Sequence, residues 1–292
     1  MIIKDKNIPR KNKITKDRIQ FDPALDIPLM SVVEISNSGM CNRKCSFCPR
    51  SDPTYEHVNE FISKDLHNKI FTELSKLEYK GMIIYSGYVE PLLDKKIFAC
   101  IKEARYFLPD AQIEIITNGD ALNLKRAKKL FDSGLSTLLI SVYDGAEEEE
   151  KFYQLCKELK LNEDQYVIRN RYMSADNDFG LNISNRSGNL ENSEFKIEPL
   201  KTSLKMSCNY PAYTFFIDYN GDVQMCSHDW GKKYIIGNIK NEKIINIWKN
   251  EKYFFARKKL LNADRNFSPC NKCDVEGSLI GNKHAKEWLK RI

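Results

Sequence analysis

The chain has 292 residues, 42% of them hydrophobic, and 46 Lys and Arg against 40 Asp and Glu give it a net charge of +6. That is enough apolar material for one large domain or two smaller ones. No apolar run is long enough to cross a bilayer, and no hydrophobic signal core follows the basic start MIIKDKNIPRKNKITKDR. A soluble, cytoplasmic protein with a lysine-rich surface is expected, with neither a membrane nor a nucleic acid among its partners.

Residues 1–29 read as a basic N-terminal arm, with prolines at positions 9, 23 and 28. Strand and helix signals then alternate. SVVEIS (31–36) is a short β-branched strand, followed directly by Cys41, Cys45 and Cys48. Leu66, Ile70, Leu74 and Leu77 recur at helical spacing and predict a helix over 63–77. GMIIYSG (81–87) reads as a strand, 95–107 as a helix stopped before Pro109, and IEIITNG (113–119) as a strand. A helix over 122–131 ends before Gly134, STLLISVYDG (136–145) is a strand, and 147–159 is a helix whose acidic start suits the helix dipole. QYVIRNR (165–171) and LNISNR (181–186) complete the series. The fold class is therefore α/β, a partial (β/α) barrel with a parallel sheet over 30–190.

In such layers ligands collect at the carboxyl ends of the strands. Four polar segments directly follow predicted strands: the cysteine cluster, Ser86-Gly87-Tyr88, Thr117-Asn118-Gly119 and Ser141-Val142-Tyr143-Asp144. They are expected on one rim. Beyond residue 190 the texture changes. TFFIDYNGDVQMCS (214–227) predicts a hairpin about Asn220-Gly221, followed by a helix over 244–261 and the loop SPCNKCD. Residues 191–292 thus read as a small β-hairpin/helix domain.

Nine cysteines without a secretory signal point to metal ligands or buried thiols rather than disulfides. Cys208, Cys226, Cys270 and Cys273 supply four thiolates, which close a zinc or an iron–sulfur site; spacing alone does not separate the two. Cys41-x3-Cys45-x2-Cys48 supplies three. Three thiolates hold three irons of a 4Fe–4S cube and leave the fourth for a molecule with adjacent amine and carboxylate groups, such as S-adenosylmethionine. Arg43, Lys44 and Arg50 favour the charge of such a cluster, and Phe47 is placed to pack against an adenine. Cys100 and Cys156 sit on predicted helices among apolar neighbours, where cysteine behaves as a small hydrophobe.

Strand position, spacing and the aromatic before the third cysteine resemble the radical S-adenosylmethionine (radical SAM) superfamily over residues 31–186. The resemblance implies that SGYVEPLL (86–93) holds the methionine amino group through Gly87, Tyr88, Val89 and Glu90, with Val89 standing where a glycine is usual. It implies that Ser141 contacts the ribose, that Asn118 shapes the rim and that Arg171 or Arg169 meets the cofactor carboxylate. The four later cysteines resemble the SPASM auxiliary domain in its truncated twitch form, which implies a second 4Fe–4S cluster. Within the superfamily, VEPLL, ITNGD and Ser184-Asn185-Arg186-Ser187-Gly188 resemble members that oxidise alcohols, which makes Arg186 a candidate substrate-positioning group or proton acceptor. The implied reaction is cleavage of S-adenosylmethionine, hydrogen abstraction from a secondary alcohol of a cyclitol or sugar-like molecule, and passage of the second electron to the auxiliary cluster. The implied partners are a small polar substrate and a flavodoxin- or ferredoxin-type electron donor. The alternatives are a radical epimerase or peptide-modifying enzyme of the same superfamily, in which a spare thiol returns a hydrogen atom, and a non-catalytic zinc protein that binds nucleic acid.

Overall fold

The computed structural model describes residues 7–22, 24–171, 184–193 and 196–292. Helix α1 (Asn7–Asp17) leads into a small antiparallel pair, β1 (Phe21–Asp22) and β2 (Ile27–Pro28). Strands and helices then alternate as β3 (Val32–Ile35), α2 (Lys64–Lys76), β4 (Met82–Tyr85), α3 (Ile97–Phe107), β5 (Gln112–Thr117), α4 (Leu124–Asp132), β6 (Thr137–Val142), α5 (Ala146–Glu158) and β7 (Tyr166–Asn170). The C-terminal part contains α6 (Tyr210–Tyr213), β8 (Thr214–Ile217), β9 (Asp222–Gln224), β10 (Ile235–Asn238), α7 (Ile244–Trp248), α8 (Glu251–Leu261) and α9 (Asn282–Leu289).

Strands β3 to β7 pair in parallel, in sequence order, so their carboxyl ends share one edge. One face of this sheet is apolar because alternate residues point the same way. Val33, Ile35, Ile83, Tyr85, Ile113, Ile115, Leu138 and Ile140 meet the covering helices there. Helix α2 shows why these segments fold locally: Ser63 accepts from the Leu66 N–H as an N-cap, and Leu66, Ile70, Phe71 and Leu74 fall on the buried stripe. The inner face carries a smaller apolar group, Val32, Met82, Ile84 and Tyr213, and two glutamates, Glu34 and Glu114.

Three sequence expectations change here. Residues 1–29 are no loose arm where they are described. Helix α1 lies against the barrel: Arg10 pairs with the buried Glu114, Ile14 joins the inner apolar group, and Lys11 feels both Glu114 and Glu34. The single helix expected over 244–261 is two, because Asn250 accepts from the Tyr253 N–H and starts α8 afresh. The expected strand at 181–186 lies partly outside the described residues, and Ser184 to Arg186 are not strand.

The predicted hairpin forms, but not as a sheet of its own. Strand β8 runs parallel to β3, with Val32 opposite Thr214 and Ile35 opposite Ile217. The strand order β10-β9-β8-β3-β4-β5-β6-β7 therefore carries the barrel sheet straight into the C-terminal part.

Candidate functional site

At the carboxyl edge the four predicted rim segments do meet. Cys41, Cys45 and Cys48 are half-buried on the loop after β3. Burial raises the Cys45 thiol to about 12, with the nearby Cys48 and Cys41 charges adding to the effect. Burial also raises Cys41 and Cys48, opposed by backbone N–H bonds from Arg43 and Arg50. Closely spaced thiols of this kind are poorly ionised alone and are satisfied by cationic metal.

Arg43 eases the charge at Cys45 and is also held by carboxylates. Its guanidinium lies between Asp120 and Asp144, bonds both, and stands 3.5 Å from Glu148. The cysteine loop is thereby pinned to the ends of β5 and β6. Buried Arg50 behaves differently: it bonds the carbonyls of Gly39 and Tyr88 and is a cation near Cys41 and Cys48.

Asn118 Nδ2 donates to Asn42 Oδ1 at 2.8 Å and lies 4.0 Å from Cys41 Sγ. Phe47 stacks on Tyr143 with ring centroids 5.5 Å apart, which forms an aromatic pair beside the cysteines. Ser141 Oγ accepts from Arg169 at 3.0 Å, and the Arg171 N–H donates to Val142 at the same rim. Gly87 has φ +94, a backbone state that favours glycine, and Val89 is half-buried on the same loop.

Two residues of that loop do something the sequence did not suggest. Glu90 is 1% exposed, and its carboxylate accepts from Leu92 N at 2.9 Å, Thr117 Oγ1 at 2.7 Å and Asn118 N at 2.7 Å. Its acid group ties the loop to β5, so acceptors for an amine must be sought among backbone carbonyls. Tyr88 turns its ring away from the rim, against Phe216 and Trp230, and its hydroxyl donates to Gln224 Oε1 at 2.6 Å. It stitches the loop to β9.

The second constellation is closed where the first is open. Cys208, Cys226, Cys270 and Cys273 line one cavity. Cys226, Cys270 and Cys273 are only 7–8% exposed. Burial and mutual thiolate repulsion raise Cys226 and Cys270, and burial raises Cys208 to about 11. A Cβ on Gly277 would collide with Cys208 Sγ, so the glycine makes room for the sulfur. Among the described residues no three cysteine sulfurs lie mutually within 4.8 Å. A tetrahedral zinc site with Zn–S near 2.3 Å would bring them to about 3.8 Å. The wider spacing suits a bulkier iron–sulfur cube.

Between the two sets lies the segment Ser184–Gly188. Arg186 and Ser187 have φ +50 and +55, an uncommon state for residues with side chains. Asn185 holds the turn: its N–H donates to Asp274, and its Nδ2 donates to the carbonyls of Lys272 and Glu198. Ser187 hydrogen-bonds Cys273. Arg186 is close enough to Cys48 on one side, and to His228 and Asp274 on the other, to act on all three electrostatically. His228 is held between Ser184 Oγ at 3.2 Å and Tyr210 OH at 3.0 Å, and enclosure, with Arg186 nearby, lowers its imidazole to about 3.

Comparison with known proteins decides the family. Residues 35–169 match the radical SAM superfamily, and residues 208–274 match the SPASM iron–sulfur cluster-binding domain. The chain is 30% identical over 247 residues to an S-adenosyl-L-methionine-dependent 2-deoxy-scyllo-inosamine dehydrogenase from Niallia circulans, covering 84% of this chain and 93% of that protein. The chain is a radical SAM protein. Its structure also resembles BtrN solved with AdoMet and 2-DOIA, with TM-score 0.71, 28% identity, 86% of this chain and 95% of the other covered. A more distant likeness in fold, TM-score 0.56 at 13% identity over 90% of this chain and 96% of the other, is to anSMEcpe with bound AdoMet. This radical SAM enzyme is an oxidoreductase whose cofactors are S-adenosylmethionine and two iron–sulfur clusters. No helix among the described residues is long and apolar enough to cross a membrane.

The sequence missed several parts of the site. Asp144 sat inside a quoted rim segment and Asp120 directly after another, but nothing marked them as partners of Arg43. Glu34 stands out only in the structure, as the half-exposed acid in the otherwise buried strand β3. The Ser184–His228–Tyr210 chain joins three distant segments.

Proposed function

We propose that this enzyme oxidises a secondary alcohol of a small polyhydroxylated ring, an aminocyclitol or related sugar-like molecule, to a ketone. Cys41, Cys45 and Cys48 are assigned to the cluster that binds S-adenosylmethionine, and Cys208, Cys226, Cys270 and Cys273 to the auxiliary one. With these groups bound, the front cluster and S-adenosylmethionine supply hydrogen-atom removal from the alcohol carbon, and the auxiliary cluster supplies an acceptor for the second electron.

The observation that carries this reading is the closure of the four C-terminal thiols around one cavity, with Arg186 between it and the front loop. Four protein ligands leave no iron free to hold substrate, so the centre suits electron acceptance. The chain's own residues then position and dehydrate the substrate. Arg186 donates to the reacting oxygen; Glu34, half-exposed on the inner face and bonded by Ser86 Oγ, accepts from a ring hydroxyl or ammonium. Phe47 and Tyr143 flank the adenine, backbone carbonyls of Gly87 to Val89 take the methionine ammonium, Ser141 takes the ribose, and Arg171 or Arg169 takes the carboxylate. The electron donor is assigned to the flavodoxin or ferredoxin class.

The epimerase reading needs a thiol facing the substrate. Cys156 is 1% exposed on α5, and Cys100 lies on α3 packed against the apolar core. Both are on the helix side of the sheet, away from the inner face.

The test is anaerobic incubation of the reconstituted, reduced enzyme with S-adenosylmethionine and 2-deoxy-scyllo-inosamine. A ketone formed with one 5′-deoxyadenosine per turnover is expected. Cleavage of S-adenosylmethionine with a series of cyclitols and no ketone would refute the reading.

A further inference from the structure

Arg265 is 2% exposed and lines the cavity formed by Cys208, Cys226, Cys270 and Cys273. Its guanidinium is held by three carbonyls: Nε donates to Met206 at 2.9 Å, Nη1 to Val275 at 2.9 Å and Nη2 to Ser207 at 3.1 Å. Among the described residues no carboxylate comes within ion-pair distance of it; Asp274 is the nearby acid, and its oxygens accept from the Asn185 N–H. A buried cation bonded only to neutral carbonyls is costly unless a counter-charge arrives. The other fully buried arginine of this domain has a different solution. Arg257 lies in an aromatic box, 4.0 Å from the Trp248 ring centroid and 3.8 Å from that of Trp288, and does not line the cavity.

We propose that Arg265 is the fixed counter-cation of the auxiliary iron–sulfur cluster and sets how readily that cluster takes up an electron. The proposal rests on the assignment of the four C-terminal cysteines to that cluster. Four thiolates around a 4Fe–4S core leave a net negative charge, and uptake of an electron makes it more negative. A guanidinium locked in a dry wall stabilises the reduced state more than the oxidised one. Among the described residues that line the cavity it is the one lysine or arginine.

The experiment is a redox titration followed by electron paramagnetic resonance on the cluster-loaded protein, comparing wild type with Arg265→Met and Arg265→Lys. The Met variant loses the charge and the carbonyl fork, whereas the Lys variant keeps the charge. Expected is an auxiliary couple in the Met variant at least about tenfold harder to reduce, a fall of about 59 mV for one electron. The Lys variant stays closer to wild type, and the front cluster does not move. A loaded Met variant whose auxiliary couple stays within about twofold of wild type, or becomes easier to reduce, overturns the proposal. Should the Met variant fail to load that cluster, the Lys variant decides. Loading with a near-wild-type potential supports the charge role, and failure to load shows that the carbonyl fork alone matters and overturns it. A wild-type protein with only one cluster would instead strike down the cysteine assignment.

Discussion

Replacing Glu90 tests whether this acid holds the cofactor or the fold. Its two oxygens satisfy three donors, Leu92 N, Thr117 Oγ1 and Asn118 N, at 2.7–2.9 Å, and no water reaches them in a residue that is 1% exposed. Each buried donor left unsatisfied costs about 1–3 kcal/mol. Thr117 keeps the bond it accepts from Gly119 N at 3.0 Å, and its hydroxyl hydrogen can rotate toward another acceptor. Glu90→Ala therefore strands mainly the two backbone N–H groups and costs roughly 2–6 kcal/mol, a large share of the 5–15 kcal/mol that holds a typical domain. Glu90→Gln keeps one carbonyl oxygen for Leu92 and Thr117 but sets an amide N–H against the Asn118 N–H. It costs about 2–3 kcal/mol, the worth of one charge-assisted bond. The assay pairs urea unfolding of the anaerobic, cluster-loaded protein with equilibrium dialysis of S-adenosylmethionine at a temperature where the variant is folded. Loss of stability with affinity within about threefold of wild type is expected for the Gln variant, since the amine acceptors are assigned to backbone carbonyls. Full stability with a tenfold or greater loss of affinity would show that the carboxylate grips the amine directly, and the reasoning would fail.

Further outcomes follow from other parts of the molecule. Arg43→Ala leaves Asp120, Asp144 and Glu148, whose oxygens lie within 4.8 Å of one another, without their cation. The front loop should loosen, and iron per chain after gel filtration should fall from about eight toward four. Cys270→Ala/Cys273→Ala should keep S-adenosylmethionine cleavage and lose ketone, read by chromatography of both products. Cys156→Ala should leave turnover unchanged and cost about 1 kcal/mol of stability by urea titration, as for a small buried side chain. His284 is fully buried on α9, and burial, with Lys283 assisting, lowers its imidazole to about 4. The unfolded chain binds the proton more readily, so this term is complete above about pH 6.5 and fades as pH falls toward 4, by about 3 kcal/mol in all. His284→Met should flatten the urea midpoint over that window.

The sequence disclosed elements whose cause is local and hid those whose cause is distant. Helix α2 was legible because its cap and its stripe, Ser63 through Leu74, lie within a dozen residues. The rim was legible because parallel strands send every following loop to one edge. Helix α1 was not, since NIPRKNKITKD has no apolar stripe; its burial depends on Glu114 and Glu34, which lie far along the chain. The junction of β8 with β3 escaped for a similar reason, as no signal in TFFI names its neighbour. At the site, spacing revealed the cysteines, but the settled roles of Arg43 and Glu90 required knowing which partners occupied their polar atoms.

The continuous sheet ties the two sets of cysteines to one another. The loop with Cys41 leaves β3, and the strand leading to Cys226 folds back from β8, its hydrogen-bonded neighbour. The two loops are thus anchored to one ladder of backbone hydrogen bonds, which sets the spacing of their starting points. If the auxiliary cluster takes the second electron as proposed, its rate of uptake should respond to substitutions in the wall around either set of cysteines.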